Sequence, residues 1–143
     1  MILYQLMSSV KAKIMKQFLS AVSVVIPDYD TALEFYVGVL GFDLVEDTRL
    51  TASKRWVLIA PPGSEECRIL LAKAANEEQS RSIGNQTGGR VFLFLNTDDC
   101  ERDMVRLRAA GVCFEGPMRQ ETYGKVAVFS DPFGNRWDLI QPN

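Results

Sequence analysis

The chain is predicted to fold as an α+β protein of paired βαβββ modules, and three observations carry that expectation. The order strand, helix, strands occurs twice along the 143 residues. Each helix opens at an aspartate and closes at a glycine thirteen positions on, from Asp28 to Gly41 and from Asp98 to Gly111. The length admits one domain with a proper core and is short for two ordinary ones. Side-chain identity between the halves is slight, so what repeats is architecture rather than sequence.

The first strand is Leu19 to Ile26, rich in β-branched residues and ended by Pro27. Asp28 and Asp30 offer caps for a helix in which Ala32, Phe35, Tyr36 and Val39 share one stripe, and Gly41 closes it. Strands follow at Phe42 to Asp47, Arg55 to Ala60 and Arg68 to Lys73, the last two separated by the turn Pro61-Pro62-Gly63-Ser64. From Ala74 to Gly89 periodicity is lost, which reads as a surface linker. The order then restarts with a strand at Arg90 to Asn96. Asp98 or Asp99 caps a helix carrying Cys100, Met104 and Leu107 on one stripe. Gly111 ends it, Val112 to Phe114 begins a short strand, and Lys125 to Phe129 and Arg136 to Ile140 flank the turn Asp131-Pro132-Phe133-Gly134-Asn135. The expected division is an N-terminal extension at 1–14, module one at about 15–75, a linker at 76–88 and module two at 89–143. Within 1–14, Leu3, Met7, Val10 and Ile14 form a possible helical stripe; the plainer alternative is a compact domain opening at Met15.

Composition narrows function by exclusion. An apolar fraction of 47% and a charged fraction of 24% are those of a globular protein. A net charge of −2 leaves no electrostatic footprint for nucleic acid, and no apolar run is long enough for a membrane span. Lys11, Lys13 and Lys16 interrupt any signal-peptide core. Three cysteines, Cys67, Cys100 and Cys113, without CxxC spacing read as free thiols of a cytoplasmic protein. There is no histidine, which removes imidazole as nucleophile activator, metal ligand or near-neutral acid/base.

Three segments carry a family resemblance: Asp28 to Phe42 (DYDTALEFYVGVLGF), Asp98 to Val112 (DDCERDMVRLRAAGV) and Tyr123 to Gln141 (YGKVAVFSDPFGNRWDLIQ). Over residues 15 to 143 the chain resembles the vicinal-oxygen-chelate superfamily of glyoxalase, bleomycin-resistance and extradiol-dioxygenase-like proteins. The resemblance implies curved sheets around a central cavity and a homodimer. The turn chemistry of DPFGN, with Pro132 presetting φ and Gly134 free to take positive φ, makes that motif a shaper of the fold rather than a reagent.

Metal-using relatives draw ligands from four inward-facing strand positions, which the resemblance maps onto Ala21, Leu70, Phe92 and Asp138. Only Asp138 can ligate, so the expectation is no metal and no cofactor. Strand alternation then places Ala21, Ser23 and Val25, Arg68, Leu70 and Ala72, Arg90, Phe92 and Phe94, and Arg136, Asp138 and Ile140 toward the cavity. Such a lining suits a small organic ligand, aromatic or anionic. The candidate ligand-binding residues are therefore Ala21, Ser23, Arg68, Leu70, Arg90, Phe92, Phe94 and Asp138. The alternative function is a lyase or isomerase moving protons through Asp138, Glu121 or Tyr123, or a metal-dependent relative with atypical ligands. Each residue has a plainer reading beside it. Asp138 suits an internal ion pair with Arg68 or Arg90; Glu121 and Tyr123 suit an ordinary loop; Arg55 and Arg136 suit solvated edges; Trp56 and Trp137 suit core packing; Gln86 suits either a lid or plain linker.

Overall fold

The computed structural model describes residues 2–5 and 16–143. Residues 2–5 are helical and exposed; Met7, Val10, Ile14 and Met15 lie outside the described residues, and with them the expected N-terminal stripe and the alternative start. The first half comprises β1 (Ala21–Ile26), α1 (Tyr29–Leu33, continued by a π-helical turn Glu34–Val39), β2 (Asp43–Arg49), β3 (Arg55–Ala60) and β4 (Arg68–Lys73). A short α2 (Glu77–Ser82) follows. The second half comprises β5 (Leu93–Asn96), α3 (Cys100–Ala109), β6 (Cys113–Phe114), β7 (Arg119–Glu121), β8 (Gly124–Ser130) and β9 (Arg136–Pro142). The sheets run β1-β4-β3-β2 and β5-β9-β8-β6, with β7 also on β8. In each the first strand lies parallel to the last, β1 beside β4 and β5 beside β9, so the predicted paired architecture is present.

Local chemistry explains the first helix and corrects its register. Asp28 caps α1, its carboxylate accepting from both the backbone N–H and the hydroxyl of Thr31 at 2.9 Å. At the far end Leu40 N–H reaches back five residues to the Phe35 carbonyl at 2.8 Å, a π-type bond. The extra residue in that turn moves the apolar stripe by one, so Leu40 is buried and Val39 only half-buried. In the second half Asp99, not Asp98, is the cap, accepting from Arg102 N–H at 3.0 Å, while Asp98 pairs with the Arg102 guanidinium at 2.7 Å. Cap to glycine is thus twelve positions in α3 against thirteen in α1. The π turn accounts for the difference.

Several expected boundaries shift for physical reasons. Leu19 is exposed and precedes β1. Phe42 turns into the core after Gly41 (φ +86°), and β2, which begins behind it, is exposed along its whole length. Arg90 to Phe92 precede β5, although Phe92 N–H bonds the Arg136 carbonyl at 2.8 Å. Two elements escaped periodicity because they have no buried stripe: β7, and α2, whose Asn76 cap accepts from Gln79 N–H at 2.8 Å. The sequence Asn76-Glu77-Glu78-Gln79 does carry the spacing of a capping box.

One core joins the halves. Tyr36 and Phe42 from the first pack against Trp137 from the second at centroid distances of 5.9 and 6.0 Å, and Trp137 stacks on Phe129 at 5.7 Å. At its centre lies a buried carboxylate. Asp131 Oδ2 accepts from the Tyr36 hydroxyl, from Asn135 Nδ2 at 2.8 Å and from Trp137 Nε1 at 3.4 Å. Its Oδ1 accepts from the N–H groups of Phe133 and Asn135, both at 3.0 Å. Burial, then the neighbouring Asp131 charge, drive the Tyr36 hydroxyl far above its ordinary range, so it stays a donor. The FY of α1 and the DPFGN turn are therefore two halves of one hydrogen-bond network, which fits the expected structural role of that turn.

The linker is pinned rather than loose. Gln86 places its amide against β1, Oε1 accepting from Val25 N–H and Nε2 donating to the Val25 carbonyl, both at 3.0 Å. Gly84, at φ +73°, lies under the Asp131–Asn135 turn so closely that a Cβ would sit 2.1 Å from the Phe133 carbonyl oxygen. The Gly89 carbonyl accepts from Arg136 Nη1 at 3.0 Å. Gln86 is thus neither lid nor plain linker.

Candidate functional site

Each sheet has one face in the shared core and one turned away from it, and the turned-away faces gather most of the predicted site. In β1 and β4 the core side is Val24, Ile26, Ile69 and Leu71; the open side is Ala21, Ser23 and Val25 with Arg68, Leu70 and Ala72. The register pairs Ala21 with Arg68 and Ser23 with Leu70, and carries Leu70 on to Leu58 of β3. In β9 the core side is Trp137 and Leu139, and the open side is Arg136, Asp138 and Ile140. Phe94 stands beside Asp138 on β5 and Val128 beside it on β8. Phe92 lies just before β5, and Arg90 is exposed at the end of the linker.

Two large apolar side chains on these faces stay exposed, although Val126, on the same face as Ile140, is buried. Phe94 is 65% exposed and Trp56 is 39% exposed, a large apolar cost for groups that had room to be polar. Trp56 corrects the core-packing expectation: Val57 and Ile59 take the core positions of β3, which turns Trp56 and Leu58 to the open side. Trp137 is in the core as expected.

The electrostatics divide into matched and unmatched groups. Arg136 grips Glu115 with Nε and Nη2 at 2.8 and 2.7 Å, which holds the Glu115 carboxyl below its usual range. Arg55 is likewise bound, by Asp47 and by Asp30 at 2.6 and 2.8 Å, so neither arginine is the freely solvated side chain expected. Arg119 faces Glu121 at 3.7 Å. Glu121 lies opposite Gly124, two register steps along the face from Asp138, and Tyr123 is exposed in the β7–β8 turn. Cys67, Cys100 and Cys113 are free thiols, with Cys100 buried and its thiol pushed up in pKa by that burial.

Asp138 and Arg68 differ from these. Among the described residues no hydrogen bond or salt bridge reaches either side chain, and Asp138 Oδ1 and Arg68 Nε are both covered and without a partner. The internal ion pair considered for Asp138 is therefore not formed with Arg68 or Arg90 among the described residues of this chain. Burial raises the Asp138 carboxyl above its ordinary value of 3.8, against the opposing pull of Arg119 and Arg136. A carboxyl so raised binds more protons folded than unfolded, so its contribution to stability falls as pH climbs through that window and stays lost above it. Asp138→Asn is accordingly expected to raise Tm at neutral pH by no more than about 3 °C. The gain fades below the ordinary value of 3.8. Thermal melts of both proteins at acid and neutral pH test this, and a variant less stable at neutral pH would contradict it.

A groove of about 530 Å³ takes in Trp56, Leu70 and Ala72 of the open side, with Tyr29, Arg55 and Gln79 beside them, and does not reach Arg68 or Asp138. Two further grooves lie away from these faces. One of about 320 Å³ runs between Phe42, Pro61, Thr97, Arg102 and Leu107, and another of about 560 Å³ between Phe35, Val39, Val112, Cys113 and Pro132. Neither includes Asp138 or Arg68. Comparison with known proteins then decides the kinship: the sequence profile of the Glyoxalase/Bleomycin resistance protein/Dioxygenase superfamily matches residues 18–139. The chain belongs to this superfamily. An uncharacterized protein of Shewanella frigidimarina is 52% identical over 130 residues, spanning 90% of this chain and 96% of the relative. Among solved structures, TnmS3, described as an antibiotic binding protein from Streptomyces sp. CB03234, is 33% identical with a TM-score of 0.72, covering 90% of this chain and 98% of that one. A superfamily member from Sphaerobacter thermophilus is 30% identical with a TM-score of 0.75, covering 89% and 98%.

The superfamily's metal chemistry can be tested against the donors present. Ala21 and Leu70 on one open face, Asp138 on the other, and Phe92, which precedes β5 and packs against the core, supply a single ligating side chain. Among the described residues no three His, Cys, Asp or Glu side chains gather where they could hold a metal ion. Glu115, the one acidic group whose charge is felt at Asp138 among the described residues, is already engaged by Arg136. This donor set does not fit a divalent cation. No helix among the described residues is long and apolar enough to cross a membrane.

Proposed function

We propose that the protein is a cytoplasmic, metal-independent binding protein that holds a small organic compound, aromatic or anionic, in a chamber formed by two copies. The open β1–β4 face of one copy would meet the open β5–β9 face of the other, making two equivalent chambers. The observation that carries the reading is the character of those faces. Trp56, Leu58 and Leu70 on one, and Phe94, Val128 and Ile140 on the other, share their faces with Arg68 and Asp138, which no other described residue matches. Apolar walls with a few convergent polar groups suit a small organic molecule. The relative TnmS3, described as antibiotic binding, supports the same direction.

The test combines sedimentation with thermal melts in EDTA against a panel of aromatic acids, phenols and antibiotics. A dimer is expected, with at least one compound raising stability by about 2.7 kcal/mol at a hundredfold excess over its Kd. A monomer, or stabilisation lost in EDTA and restored by zinc, nickel or manganese, would overturn it. A second reading has one observation in its favour. The raised carboxyl of Asp138 in an apolar setting is also what proton transfer to or from a bound substrate requires.

A further inference from the structure

Two charged side chains that no described residue answers, Arg68 and Asp138, define what the ligand must offer. On the open faces, Arg136 is answered by Glu115, Arg119 by Glu121, and Asp43 and Glu46 receive the Gly63 N–H and the Thr48 hydroxyl. Arg68 and Asp138 are answered by no described group, and each has a covered polar atom waiting. One needs an acceptor and the other a donor, and they stand on different sheets. Along the face of Arg68 lie Leu70 and Leu58 and, farther on beside Ala72, the exposed ring of Trp56; beside Asp138 lie the exposed ring of Phe94, Val128 and Ile140. Leaving such atoms covered and unbonded costs free energy that a correctly shaped ligand would return.

Resting on the two-copy chamber proposed above, we infer that the bound compound is an aromatic body with a hydrogen-bond donor at one end and an acceptor or anionic group at the other. Asp138 receives the donor and Arg68 holds the acceptor. A purely anionic ligand leaves Asp138 Oδ1 unsatisfied and sets its charge beside a carboxylate; a purely apolar one leaves both atoms unsatisfied. The compound class is therefore a hydroxylated or amino-substituted aromatic acid or ketone.

The test uses the full chain and four probes sharing one ring system: methylnaphthalene, naphthol, naphthoate, and a hydroxynaphthoate with its groups on opposite rings. Binding is read from probe fluorescence, and assembly by sedimentation. Hydroxynaphthoate is expected to bind about tenfold or more tighter than either singly substituted probe. Asp138→Leu should weaken only the hydroxylated probes, and Arg68→Met only the carboxylated ones, each by about tenfold, with the dimer intact. Asp138→Asn, which keeps an acceptor oxygen, should recover part of the loss for naphthol. If all four probes bind alike, or neither variant discriminates among them, the inference fails while the binding reading stands. If Arg68→Met and Asp138→Leu each dissociate the dimer, the two groups answer each other across copies and the ligand class falls. Failure of every probe to bind the unaltered protein removes both.

Discussion

Asp131→Ala is expected to destabilise the protein by about 3–5 kcal/mol, a large part of the stability of an ordinary domain. The carboxylate is 4% exposed and is the acceptor for the Tyr36 hydroxyl, the Trp137 indole, the Asn135 amide and two backbone N–H groups. Truncation leaves those donors buried without a partner, and each orphan costs about 1–3 kcal/mol less whatever water recovers. Tyr36→Phe removes one donor and leaves the carboxylate four others, so about 1 kcal/mol is expected. The double variant should lose less than the sum, because the Tyr36 bond is already gone once Asp131 is removed. Urea denaturation of the three variants, with Pro132→Ala on the exposed side of the same turn as control, measures all of this. A loss below about 1 kcal/mol for Asp131→Ala would show that the network is replaceable by solvent.

Gly84→Ala is the second large effect, expected at about 2–4 kcal/mol. Two costs add. The backbone is at φ +73°, and the new Cβ would sit 2.1 Å from the Phe133 carbonyl oxygen and 3.1 Å from its carbon. Those are backbone atoms of a turn fixed by Asp131, so neither can swing aside. Gly88 supplies an internal control, since its φ is +68° with open space around a Cβ. Gly88→Ala should show the conformational cost alone, about 1 kcal/mol. Equal losses at the two positions would mean that the contact with Phe133 contributes nothing. A separate readout is trypsin cleavage after Arg81 and Arg90, which should accelerate in Gly84→Ala as the linker lifts from the turn.

These two positions also show where sequence reading stopped. Alternation is a local property, so the face of each strand was legible: Ile69 and Leu71 against Arg68, Leu70 and Ala72, and Trp137 and Leu139 against Arg136, Asp138 and Ile140. The loss of ligating residues was legible for the same reason, because no register changes Ala21 or Leu70 into a donor. What was not legible depends on partners distant in the chain. The Tyr36–Asp131 bond spans 95 positions, and Arg136 finds Glu115 at 21. Neither pair has a spacing that any helix or strand period would flag. The π turn was hidden because its apolar residues Phe35, Tyr36, Val39 and Leu40 satisfy the ordinary helical stripe almost as well. That no described residue answers Arg68 or Asp138 could be learned only from the folded arrangement of the charges around them.

The amide of Gln86 has a consequence for how the molecule meets its own kind. Alternate residues of a strand send their peptide groups to the same side, so Ala21, Ser23 and Val25 offer theirs along the margin of β1 away from β4. Such a margin invites another chain to zip on and grow a continuous ribbon. By occupying the Val25 peptide, one side chain interrupts that invitation midway. An incoming strand would have to evict it before pairing in register, which steers encounters between molecules toward side-chain contacts that close and stop, and away from backbone ladders that propagate.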